Sequence, residues 1–191
     1  MLQRKLNEFV TFVPGINPTR AEKQYGTKDI NYYDQSSFEK DYNHCDGTSL
    51  KINKKNYDNL ALSEGDIVVS NALQLATIVS HWNTGKVPSL NFTKVEFKND
   101  ELDKRYFVYL FNVYREVQRQ KERELQGNGP ILRIPIKALS EIKIPFIGLE
   151  GQKQTGKAYI EMLKLQGKLN RYSELIEQFT GALLEENLEE K

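Results

Sequence analysis

The last forty or so residues constrain this chain most. Between Leu149 and Leu188, the residues Ala158, Met162, Leu165, Leu169, Tyr172, Ile176, Phe179 and Leu183 fall at alternating steps of four and three, the period of a coiled-coil seam. Met162, Leu169, Ile176 and Leu183 take the a positions and Ala158, Leu165, Tyr172 and Phe179 the d positions, with no charge in the stripe. At about 1.5 Å per residue such a helix reaches roughly 60 Å, more than the rest of a chain this size can cover. It is expected to project from its domain and to dimerise through the stripe. Gly156, Gly167 and Gly181 each cost about 1 kcal/mol relative to alanine inside a helix, and all three lie off the seam. Gly167 and Gly181 are at f, beside Ile160 and Leu188 at f and Leu163 and Leu184 at b, so the back of the helix offers a second packing surface. A single amphipathic helix folded onto its own domain has the same periodicity.

The chain's 191 residues, 39% of them hydrophobic, suffice for one cored domain plus an appendage. A formal charge of +1 means that any nucleic-acid binding must come from a local cluster. The single cysteine, Cys45, excludes an internal disulfide and fits a reducing compartment. The opening MLQRKLNEFV lacks an apolar signal core and no run approaches a membrane span, so the chain reads as soluble and cytoplasmic.

Leu6, Phe9, Val10, Phe12 and Val13 form an apolar opening that stops at Pro14-Gly15. The stretch 15–59 is polar, tyrosine-rich and aperiodic, and reads as a loop region of the kind that carries recognition. A turn over Leu62 to Asp66 feeds Ile67-Val68-Val69, a β-branched buried strand. Asn71 to Ser80 suits either a strand or a short helix, and His81 to Lys86 a second polar loop. Phe92, Val95 and Phe97 suggest a strand, Leu102 to Leu125 one helix, and Ile131–Ile136 with Ile142–Ile147 a strand pair before the long helix.

The ordered set LSEGDIVVS at 62–70, Tyr106 to Asn112, ILRIPIKALSEIKIP at 131–145, then Gln152 and a heptad helix resembles a target-recognition domain, with its helix, from the DNA-specificity subunit of type I restriction-modification systems. The resemblance implies an α/β (α+β) target-recognition domain over 1–148, followed by a long C-terminal coiled-coil dimerisation and spacer helix over 149–191. Full-length members carry two recognition domains and two long helices paired antiparallel. With one of each, this chain is expected to be a half-subunit that pairs with itself or with another specificity chain, as an isologous interface allows. The resemblance implies double-stranded DNA and methyltransferase (modification) subunits as partners, a motor subunit that cleaves, and neither a catalytic residue nor a cofactor in this chain.

Side-chain chemistry gives the DNA-binding candidates: Arg20, Lys23, Gln24, Lys28, Asn31, Asn71, Gln74, His81, Asn83 and Lys86. Cations hold phosphates, while Arg, Asn and Gln discriminate bases at about 1–3 kcal/mol per bidentate pair. Two enzymatic patterns compete. Asp66 at a strand start, with Glu96-Phe97-Lys98 in another, has the spacing of a magnesium-dependent nuclease. GQKQTGKA at 151–158 approaches a phosphate-binding loop but lacks its terminal hydroxyl residue. His44-Cys45-Asp46 has metal-ligand chemistry without the separated pairs of a zinc site. A coiled-coil interaction module without DNA binding is the third alternative.

Overall fold

The computed structural model describes residues 2–17, 19–20, 23, 30–44, 60–127 and 132–189. Gln24, Lys28, Cys45 and Asp46 lie outside these. At the centre is a four-stranded antiparallel sheet in the order β2–β7–β4–β5, formed by Val10–Pro14, Phe92–Phe97, Ile67–Ser70 and Leu75–Ile78. The β-branched run expected to be a buried strand is β4, buried at all four residues because both of its faces are covered. Ile67 and Val69 join a core with Phe9, Val10, Phe12, Val95 and the helices that follow. Val68, on the opposite face of the pleat, packs with Tyr33, Phe38, Leu62, Val79 and Phe92.

The second face is covered by α1 (Gln35–Tyr42), together with the parallel pair β3 (Tyr32–Tyr33) and β6 (Val87–Pro88). Part of the stretch expected to be an irregular loop is therefore ordered. Asp34 caps α1, accepting from the Ser37 backbone N–H at 2.8 Å and from its hydroxyl at 2.7 Å, and Phe38 anchors the helix in the core. Short-range polarity hid a helix that contributes only one large apolar side chain to the fully buried core.

The first face is covered by α2 (Lys104–Val113) and the start of the long helix. The single helix expected from Leu102 to Leu125 is two, because Tyr114 is extended (φ −66°, ψ 117°) between α2 and α3 (Arg115–Arg123). The Asn112 side-chain amide pairs both ways with the Ala76 backbone, at 2.7 and 2.9 Å, satisfying the open edge of β5. Ile131 lies outside the described residues, and among those described 132–136 forms no strand pair with Ile142–Ile147. Pro135 lacks the N–H that a strand interior needs, and Ile136–Glu141 is instead helix α4, turned inward through Leu139. Lys143–Pro145 is β8, and its antiparallel partner is the N-terminal strand β1, Gln3–Lys5.

The last helix, α5, runs unbroken from Leu149 to Glu189. Its start is pinned by Gln152, which is fully buried. The side-chain carbonyl accepts from the Asp103 N–H at 2.9 Å, and the amide donates to the Glu101 and Ile147 carbonyls at 3.0 and 2.9 Å. No helix among the described residues is long and apolar enough to cross a membrane.

Candidate nucleic-acid interface and pairing helix

The loop elements on the outer face are organised around a buried carboxylate. Asp41, 2% exposed, accepts from the Tyr33 hydroxyl at 2.8 Å, the Asn83 amide at 2.8 Å and the Ser80 backbone N–H at 3.2 Å. Burial, followed by the Asp41 charge, drives the Tyr33 hydroxyl far above the ordinary tyrosine range, so it remains a donor at any physiological pH. Asn83 also donates to the Ser37 carbonyl at 3.2 Å, and Lys86 to the Ser37 hydroxyl at 2.7 Å. Burial holds the Lys86 ammonium below its usual value. These contacts lock the turn His81–Asn83 onto α1.

The candidates chosen by chemistry separate into two groups. Arg20, Lys23, Asn31 and His81 are exposed, with the His81 ring 3.8 Å from Trp82 between centroids. Asn83 is 3% exposed, and its amide is spent on Asp41 and Ser37, so it supports the loop from inside. Asn71 is spent similarly. Its amide donates to the Leu90 carbonyl at 3.1 Å, and its oxygen accepts from the Thr93 hydroxyl at 2.8 Å. Gln74 occupies the left-handed position (φ 55°) of the β4–β5 turn. There its backbone carbonyl accepts from the ammonium of buried Lys121 at 2.7 Å.

The nuclease pattern is occupied by other contacts. Asp66 pairs with Lys94 at 2.9 Å and accepts from the Ser63 N–H at 2.9 Å, while Lys98 donates to the Asn7 carbonyl at 2.6 Å. Among the described residues, no group of three His, Cys, Asp or Glu side chains could hold a metal. The stretch 151–158 lies within continuous helix, where no loop is free to wrap a phosphate.

Two faces of α5 do different things. Gln152, Gly156, Tyr159, Ile160, Leu163 and Gly167 are buried on the domain. A Cβ on Gly156 would strike the backbone at Arg105 and Tyr106, and one on Gly167 the Asn43 carbonyl, so those two glycines permit the close approach. The heptad stripe points the other way, exposed along its length: Leu169 is 57% exposed, Ile176 65% and Phe179 66%. Beyond Gly167 no described side chain is buried, and the helix continues for about 30 Å.

No protein-family model matches the sequence, and no curated protein matches it by sequence. Solved structures do. The S subunit of a type I restriction-modification system from M. genitalium matches with a TM-score of 0.51 at 15% identity, over 82% of this chain and 37% of its own. The HsdS subunit from Thermoanaerobacter tengcongensis matches with a TM-score of 0.52 at 14% identity, over 88% and 38%. A chain from a structure of the type I R-M system, concerned with complex assembly and conformational transition, gives 0.57 at 15% identity, over 95% and 43%. The fold is that of a type I specificity subunit. This chain spans about two-fifths of the length of those three, consistent with a half-length form holding a single target-recognition domain and its helix.

Proposed function

We propose that the protein is a sequence-specific DNA-binding half-subunit of a type I restriction-modification system. In this reading residues 1–148 recognise one half of a split target. Residues 149–191 pair with a second copy, or with another specificity chain, to set the distance between two such domains. The assembled pair directs methyltransferase and restriction subunits to the site in the cytoplasm, and this chain performs no chemistry itself. Exposed cations such as Arg20 and Lys23 contribute salt-dependent phosphate affinity, and the Asp41 hub fixes the His81–Asn83 turn, which keeps His81 on the surface.

The observation that carries the reading is the combination of a specificity-subunit fold over most of the chain with a stripe of large apolar side chains that its own domain leaves exposed. Contiguous exposed apolar surface of this kind marks an interaction site. Selection from randomised duplexes by the purified protein tests the proposal. A homodimer should enrich two inverted copies of one short sequence at fixed spacing. Retention of DNA without enrichment of any sequence would contradict it.

A further inference from the structure

Three turns that are distant in sequence are tied together at one end of the central sheet. The β4–β5 turn is joined to the turn before β7 by the Asn71 amide on the Leu90 carbonyl and by the Asn71 N–H on the Asn91 carbonyl, at 3.1 and 2.8 Å. The segment after α3 joins them through Arg133, whose guanidinium donates to the Asn91 side-chain oxygen at 2.9 Å. Lys121 closes the arrangement from beneath, its ammonium 2.7 Å from both the Gln74 and Phe111 carbonyls.

Resting on the DNA-reading proposal above, we propose that this three-turn platform faces the major groove and that Arg133, oriented by Asn91, is a specificity-determining residue that reads a base edge. The Arg133 backbone is fixed by two hydrogen bonds with Gln126, at 2.9 and 2.8 Å. Its side chain is exposed, and among the described residues it has no carboxylate partner. Among the described residues one of its five donors is taken, by Asn91, and the others can serve a ligand. A cation that only neutralises phosphate gains little from being aimed. A fork held in one orientation loses less freedom on binding and matches the paired acceptors of a guanine edge. Leu73 and Leu90 are exposed on the adjoining turns, placed for apolar contact with thymine methyl groups.

The duplex selection is run in parallel on the unaltered protein, Arg133→Lys and Asn91→Ala, with thermal melts of all three. Arg133→Lys keeps the charge and loses the fork, so it should bind random duplex within about twofold of the unaltered protein. Its affinity for the selected site should fall roughly ten- to a hundredfold, with preference lost at one base pair per half-site. Asn91→Ala should relax the same base pair to a smaller degree, and it decides the matter alone if Arg133→Lys melts early. An unchanged selected sequence with undiminished preference in a folded Arg133→Lys would overturn the inference and leave the DNA-reading proposal standing. Failure of the unaltered protein to enrich any sequence would remove that proposal, and the inference with it.

Discussion

Lys121 is the residue whose burial asks most of the fold. Its side chain is 2% exposed, forms no ion pair among the described residues, and is held by two carbonyls and the Phe111 ring 4.3 Å away. Burial depresses its pKa from the usual 10.5 to about 8, so between those values the unfolded chain binds more protons than the folded one. Folding then carries a charge-burial penalty that is full below pH 8 and is relieved as pH rises toward 10.5. Denaturant melts should show the protein gaining about 2 kcal/mol relative to Lys121→Met between pH 7 and pH 10. A difference that does not change with pH would mean that the ammonium is solvated. The same scale shows what side-chain chemistry leaves out, the partners each polar group meets on folding. Asn71, Gln74 and Asn83 are candidates because amides read bases; on folding the Asn71 and Asn83 amides donate to the Leu90 and Ser37 carbonyls and to Asp41, while Gln74 contributes its backbone carbonyl to Lys121. Arg133 was available as a cation inside an apolar run, but the asparagine that aims it is 42 residues away, a pairing that only folding creates.

At the scale of elements, local pattern decided what could be read. The continuous β-branched run of β4 and the apolar stripe of α5 were legible because each obeys one period over its length. The breaks were not: Tyr114 divides α2 from α3, and β8 finds its partner in β1 at the other end of the sequence. The glycines of α5 show how docking overrides propensity. Gly167→Ala would push a methyl into the Asn43 carbonyl and should destabilise the protein by 1 kcal/mol or more, on the order of an overpacking cost. Gly181→Ala meets nothing within 4 Å and should stabilise the helix by about 1 kcal/mol. Opposite shifts in thermal midpoint are the expected result; a rise for both would mean that the helix does not seat on α1.

For the whole molecule, the unsatisfied surface matters more than the core. Burying a leucine, isoleucine or phenylalanine side chain gains about 1.5–3 kcal/mol. Leu165, Leu169, Tyr172, Ile176 and Phe179 are all more than half exposed, enough between two copies to offset an association cost of about 4–15 kcal/mol. The domain seats on the opposite face of α5 and leaves the stripe clear, so a partner can approach without disturbing the fold. Pairing of two recognition domains through this stripe is the expected assembly. Light scattering after size exclusion on the protein and on a Leu169→Glu, Ile176→Glu double variant tests it most directly. The expected result is a dimer that the variant converts into folded monomers with an unchanged thermal melt of the domain. A monomer in both cases, across micromolar concentrations, would contradict self-pairing and leave the stripe to a different chain.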